Sequence, residues 1–280
     1  PELTKPNLLI IICSIFFVIF TLLVGTSKMA LSQEIVFVGS FMIILFLLFK
    51  LSNELDANAK KMLIGTAIII FVFRAMPGVG QGGSWFEIDV LGFDQEFLSL
   101  LGLIASFLTI LGIFVLRPLM EKSSMTRLIV ILSIAGSFFI LPSIAMFYGF
   151  HEFTSKLTNG LVDARFIAIF NTALESPLGQ VSMIPILAWI AQSAPNHLKA
   201  TFFAVLASFT NLALSASNLG TKYLNQIYVI TREVKNDLGI IKTPADYSEL
   251  GILLIIVCAL TLIIPILVTY IVKKLKLLSY

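Results

Sequence analysis

Charge is scarce in this sequence. Its 280 residues hold 19 Lys and Arg and 16 Asp and Glu, 12% in all, about half the share found in a soluble domain. The net charge of +3, with its basic residues spread over short loops, excludes a nucleic-acid-binding surface. Histidine is rarer still. His151 and His197 lie far apart in expected loops, which leaves no metal-binding pair and no Ser/His dyad. Cys13 and Cys258 sit inside apolar runs, so neither a disulfide framework nor a metal site is expected. No cofactor is implied.

Apolar residues fill the space. They make up 58% of the chain, with 24 Phe and a mean hydropathy of +0.99. One aqueous core cannot hide that much apolar surface, so an integral membrane protein is expected. The first apolar run has no small-residue cleavage site and a second run follows at once, which reads as a span and not a signal peptide. The start at Pro1 instead of Met points to a piece of a longer protein.

Eight stretches are long and apolar enough to span: 8–25, 33–51, 61–77, 95–116, 127–149, 161–192, 200–230 and 250–272. The expected fold is all-α and polytopic. Eleven Lys and Arg in loops fall on one side (Lys5, Lys50, Lys60, Lys61, Arg117, Lys122, Arg127, Lys199, Lys273, Lys274 and Lys276). Five fall on the other (Lys28, Lys156, Arg232, Lys235 and Lys242). The first side is expected to be cytoplasmic, with both ends of the chain there and the plasma membrane as the location.

Ionisable residues inside spans mark function, because lipid makes them costly. The second, fifth and eighth spans have none away from their ends, and are expected at the lipid-facing periphery. The third, sixth and seventh carry Arg74; Asp163, Arg165 and Glu175; and Lys222. Asp163, Asn171 and Glu175 share an i, i+4 ladder with Ile167, and Ser208, Asn211, Ser215, Asn218 and Lys222 share one face of the seventh span. Such stripes serve either as interhelical glue or as the lining of a cavity. In "NTALESPLGQVSMIPIL", Pro177, Gly179 and Pro185 are expected to open the sixth span beside Glu175 and Gln180, as broken helices do around midplane binding sites. The run "GVGQGGSW" has neither a strand before it nor a P-loop lysine after it, and reads as a loop.

Two longer stretches resemble the folate–biopterin transporter family. They are "FVFRAMPGVGQGGSWFEIDVLGFDQEFLSLLGLIASFLTILGIFVLRPLMEK" and "GQVSMIPILAWIAQSAPNHLKATFFAVLASFTNLALSASNLGTKYL". The likeness covers residues 70–225 and rests on Gln180, Pro185, Pro195, "ATFFA" at 200–204, Ser208, Asn211 and Gly220. It implies the major facilitator superfamily, with twelve spans in two halves. Residues 1–58 would then be two spans of the N-terminal half, or an inserted hairpin, and 59–280 the six-helix C-terminal half. The partners would include the missing N-terminal spans. One departure stands out: the family carries an acid before the "AT" pair, and this chain has Lys199.

The resemblance implies a secondary transporter, not an enzyme, for folate- or pterin-like molecules, working by alternating access with proton coupling. A pterin's ring N–H and exocyclic amine form a donor pair that a carboxylate accepts, and Glu175 is the one mid-span carboxylate. A folate's anionic tail would want Arg74 or Lys222. Expected substrate-binding residues are thus Glu175, Asn171, Gln180, Arg74, Asn211, Asn218 and Lys222, with Glu175 and Asp163 as proton-coupling residues. The site is expected between the third, sixth and seventh spans. The alternatives are a major facilitator carrier for a sugar, cell-wall fragment or drug, and, further off, an intramembrane enzyme.

Overall fold

The structure, a computed structural model, describes residues 8–27, 29–179, 181, 183–185, 187–188, 199–236 and 238–277. Gln180, Pro195 and Lys28 lie outside these, as do the ends of the chain. Among the described residues there are eleven α-helices and one small hairpin, and five of the helices are long and apolar enough to cross a membrane.

Each hydrophobic run holds a helix: α1 (Leu8–Gly25), α2 (Ser32–Ser52), α3 (Ala57–Arg74), α5 (Gln95–Val115), α7 (Met125–Phe147), α9 (Ala164–Glu175), α10 (Lys199–Ile227) and α11 (Leu250–Lys274). The five long and apolar enough to cross are α2, α5, α7, α10 and α11, and α9 covers only the first part of its run. Short helices α4 (Gln81–Asp89), α6 (Arg117–Lys122) and α8 (Phe150–Leu157) join them. The hairpin β1 (Val234–Lys235) and β2 (Ile241–Thr243) connects α10 to α11. Asp56, Asp94, Ser124 and Asp163 cap α3, α5, α7 and α9 by accepting from the third backbone N–H beyond them, which fixes four helix starts.

Charge-free spans are not peripheral. α7 and α11 pack along each other, joined where Cys258 Sγ donates to Ser137 O at 3.3 Å and where Gly251 abuts Phe147. The helix α2 lies between α1 and α10. An apolar surface fits a neighbouring helix as well as it fits lipid, and Ser133 and Ser137, both buried, let α7 come close to its neighbours. Of the five longest apolar helices α5 is the most exposed, with only Phe97 and Gly112 buried, and α1 has no buried residue among those described.

The two ends of the bundle differ. At one end Asp89 receives Arg232 Nε and Nη2 at 2.8 and 2.6 Å and the Tyr247 hydroxyl at 2.7 Å, tying α4 to the hairpin region. The Arg232 guanidinium holds the Asp89 carboxyl below its ordinary range. Burial, and then donation to Asp89, push Tyr247 up to about 12. At the same end Arg165 Nη2 meets Asp94 Oδ2 at 2.7 Å.

Candidate functional site

Two gaps between helices shape the site: one follows α3 at the expected end of the third span, and the other falls inside the sixth, where a break was expected. The chain leaves helix after Arg74 and residues 76–80 are irregular before α4 begins, so "GVGQGGSW" is not all loop but a short break followed by a helix. Pro77 cannot continue the helix, and Gly80 turns the chain at φ +79°. A non-helical backbone within a bundle must find hydrogen bonds elsewhere, and α10 supplies them. Ser217 Oγ donates to Met76 O at 2.7 Å, Gly78 N donates to Thr221 Oγ1 at 2.8 Å, and Asn225 Nδ2 donates to Val79 O at 3.1 Å. Those partners occupy the second half of a 29-residue helix.

The second break follows α9. Ser176–Leu178 forms a 3-10 turn around Pro177, and the chain is helical again at 183–185, Pro185 included. Pro177 presses on Gly112 of α5, where a Cβ would collide with the Pro177 backbone. Thr109 Oγ1 completes the joint by donating to Ser176 O at 2.9 Å. The two breaks touch: Arg74 Nη1 donates to Met183 Sδ at 2.9 Å, while Arg74 Nε is buried without a partner among the described residues.

The largest cavity among the described residues lies on a neighbouring face of α10, about 100° around the helix from the face that serves the first break. Its volume is about 820 Å³. All five residues of the predicted α10 stripe line it: Ser208, Asn211, Ser215, Asn218 and Lys222. α1 adds Phe17 and Thr21, and α2 adds Gln33, Phe37, Ser40 and Ile44. The cavity is thus walled by the first, second and seventh spans, not by the third, sixth and seventh. Helix α10 carries polar groups on two faces, of which the sequence pattern singles out one. Ser217, Thr221 and Asn225 serve the broken backbone, and the stripe of Ser208 to Lys222 serves the cavity.

The remaining predicted residues do not line the cavity. Asp163 is spent as the α9 cap, its Oδ1 accepting from Phe166 N at 2.9 Å. Asn171 Nδ2 donates to Phe139 O at 3.3 Å and borders an apolar groove with Phe138 and Phe170. Glu175 ends α9 beside the break, exposed and without a hydrogen bond among the described residues. Gln180 lies outside the described residues.

Glu34 was missed. Its Oε1 accepts from Lys222 Nζ at 2.7 Å and from the Tyr223 hydroxyl at 2.9 Å. A signal was present, since the alternation of spans puts the start of the second and the end of the seventh on one side of the membrane. A cation inside a span calls for an acid at the same level. No group of His, Cys, Asp and Glu suited to a metal ion occurs among the described residues.

Helices of this length and apolarity around a polar cavity define an all-α polytopic membrane protein. Residues 8–279 match the BT1 family. The chain belongs to that family. The match takes in the first two spans as well as the region that carried the sequence resemblance. A folate-biopterin transporter of Synechocystis sp. (strain ATCC 27184 / PCC 6803 / Kazusa) is 21% identical over 158 residues, which covers 56% of this chain and 31% of that relative. The chain therefore matches about a third of that protein's length. No solved structure matches.

Proposed function

We propose that this chain forms part of a secondary transporter for a folate- or pterin-like small molecule, with the substrate held in the cavity between α1, α2 and α10. The observation that carries this is the cavity's lining. One unbroken polar stripe of α10 faces a space of about 820 Å³, within the range of small-molecule sites. Asn211, Asn218 and Gln33 offer paired amide donors and acceptors, which suit the lactam and amine edge of a pterin ring. Phe17 and Phe37 offer apolar faces against which the ring can stack.

The two breaks supply a means of movement. Interrupted helices meeting through Arg74 and Met183 can change their relation without unzipping a continuous helix, as alternating access between two halves requires. Residues 59–280 would be one six-helix half of a major facilitator protein, and residues 1–58 would belong to the other half. Glu175, beside the second break and without a side-chain partner among the described residues, would carry the coupling proton.

Uptake of labelled pterin and folate into proteoliposomes containing the full-length protein tests this reading. Asn211→Ala and Asn218→Ala should each lower uptake by about tenfold, the loss of one good hydrogen bond. Uptake of neither compound, or wild-type uptake by both variants, would overturn it and turn attention to other small solutes.

A further inference from the structure

The cavity has one charged residue among its described lining, Lys222. That charge is already matched. Glu34 Oε1 lies 2.7 Å from Lys222 Nζ, with the two side chains 18% and 33% exposed. Tyr223 OH donates to the same oxygen at 2.9 Å, and Lys222 Nζ sits 5.8 Å from the Tyr223 ring. Glu34 Oε2 is buried and has no donor among the described residues. Helix α1, also packed on α2, faces the cavity with Phe17 and Thr21.

Resting on the reading that this cavity holds the substrate, we propose that Glu34 sets the charge selectivity of the site. By reserving Lys222, it makes the cavity a receptor for an uncharged, hydrogen-bonding heterocycle and turns away carboxylated analogues. A carboxylate ligand can use Lys222 only by displacing Glu34. Displacement would leave Glu34 partly buried with only the Tyr223 hydroxyl and its own backbone N–H as donors, since its Oε2 has no partner among the described residues. Stranding a partly buried charge costs more than a well-placed new ion pair returns. An uncharged ring meets no such penalty, because Gln33, Asn211 and Asn218 bind it while the pair stays closed. The lysine that the sequence marks as an anion anchor is, by this argument, held out of use by an acid from a different helix.

Equilibrium binding of pterin and of pterin-6-carboxylate to the full-length protein in detergent at neutral pH tests the assignment. The wild type should prefer pterin by about tenfold or more, equivalent to one displaced ion pair. Glu34→Gln keeps the shape and the Tyr223 partner but frees the ammonium, so the ratio of the two dissociation constants should shift toward the carboxylate by about tenfold. Glu34→Gln combined with Lys222→Gln should cancel that shift, which a merely structural role for Glu34 would not do. If Glu34→Gln fails to fold, Glu34→Asp, with its shorter reach, must move the ratio in the same direction. An unchanged ratio in the variants overturns the proposal, as does a wild type that prefers the carboxylate. Pterin binding with a ratio near one removes the selectivity but leaves the cavity as the substrate site. Binding of neither compound removes both.

Discussion

Arg74 and Met183 meet where two helices are interrupted: the guanidinium Nη1 donates to the thioether Sδ at 2.9 Å, joining the end of α3 to the chain beyond the Ser176–Leu178 turn. A thioether is a weak acceptor for a cation, and Arg74 Nε, buried, has no partner among the described residues. Packing alone would be served better by an apolar side chain.

Replacing Arg74 by Met or Leu should therefore leave thermal stability equal or raised, since removing a buried unpaired donor relieves its desolvation cost. Transport should fall by about tenfold or more if the charge works at the junction. A melting curve beside an uptake assay checks this; a stability loss of about 3 kcal/mol would show that the guanidinium holds the bundle together.

The polar side chains that serve residues 76–79 should matter to folding, not to binding. Thr221→Val leaves Gly78 N without its acceptor, and Asn225→Leu leaves Val79 O without its donor. Each should cost about 1–3 kcal/mol, the penalty for stranding a buried polar group. Thermal unfolding of the purified variants measures it, with pterin affinity per folded molecule unchanged.

Gly112 admits the Pro177 backbone, and any Cβ there collides with it. Gly112→Ala should cost about 1–3 kcal/mol through overpacking, whereas Gly102→Ala on the same helix, with open space around it, should be neutral or stabilising. The paired comparison by thermal melting separates the contact from helix propensity.

The Asp89 cluster predicts a pH response at one end of the molecule. Arg232 depresses the Asp89 carboxyl, so its contribution is present above the ordinary aspartate value of 3.8 and is lost as pH falls below it. Tyr247 has the opposite sign. Raised to about 12, it contributes below its ordinary value of 10 and loses that contribution as pH climbs toward 12. Limited proteolysis in the hairpin region 231–246 should increase at both extremes, and Asp89→Asn should bring the increase to neutral pH.

Glu175 has neither an ion-pair partner nor a hydrogen bond among the described residues. Glu175→Gln should remove the pH dependence of uptake while leaving binding affinity at fixed pH within about threefold. A variant with intact pH-dependent uptake would assign the coupling elsewhere.

Apolar run length and composition determine the spans, because a helix is the cheapest way to bury twenty residues of backbone in lipid. That is why five of the expected spans are helices long and apolar enough to cross a membrane, and why Pro177 marks one break in advance. The α10 stripe was legible for the same reason: residues three and four apart share a face whatever lies opposite. What lies opposite is not written in that period. Apolar surface looks the same whether it meets lipid or a neighbouring helix, so α2, α7 and α11 read as peripheral although α2 walls the cavity and the other two pack together. Nor could spacing show what receives the backbone beyond Arg74, since residues 76–79 are held by Ser217, Thr221 and Asn225 of another helix. Sequence by itself determined which segments are apolar helices and which α10 residues face a common side. Tertiary structure decided which helix answers them, and so paired Lys222 with Glu34, 188 residues away, because the partner of a buried charge is set by packing and not by distance along the chain.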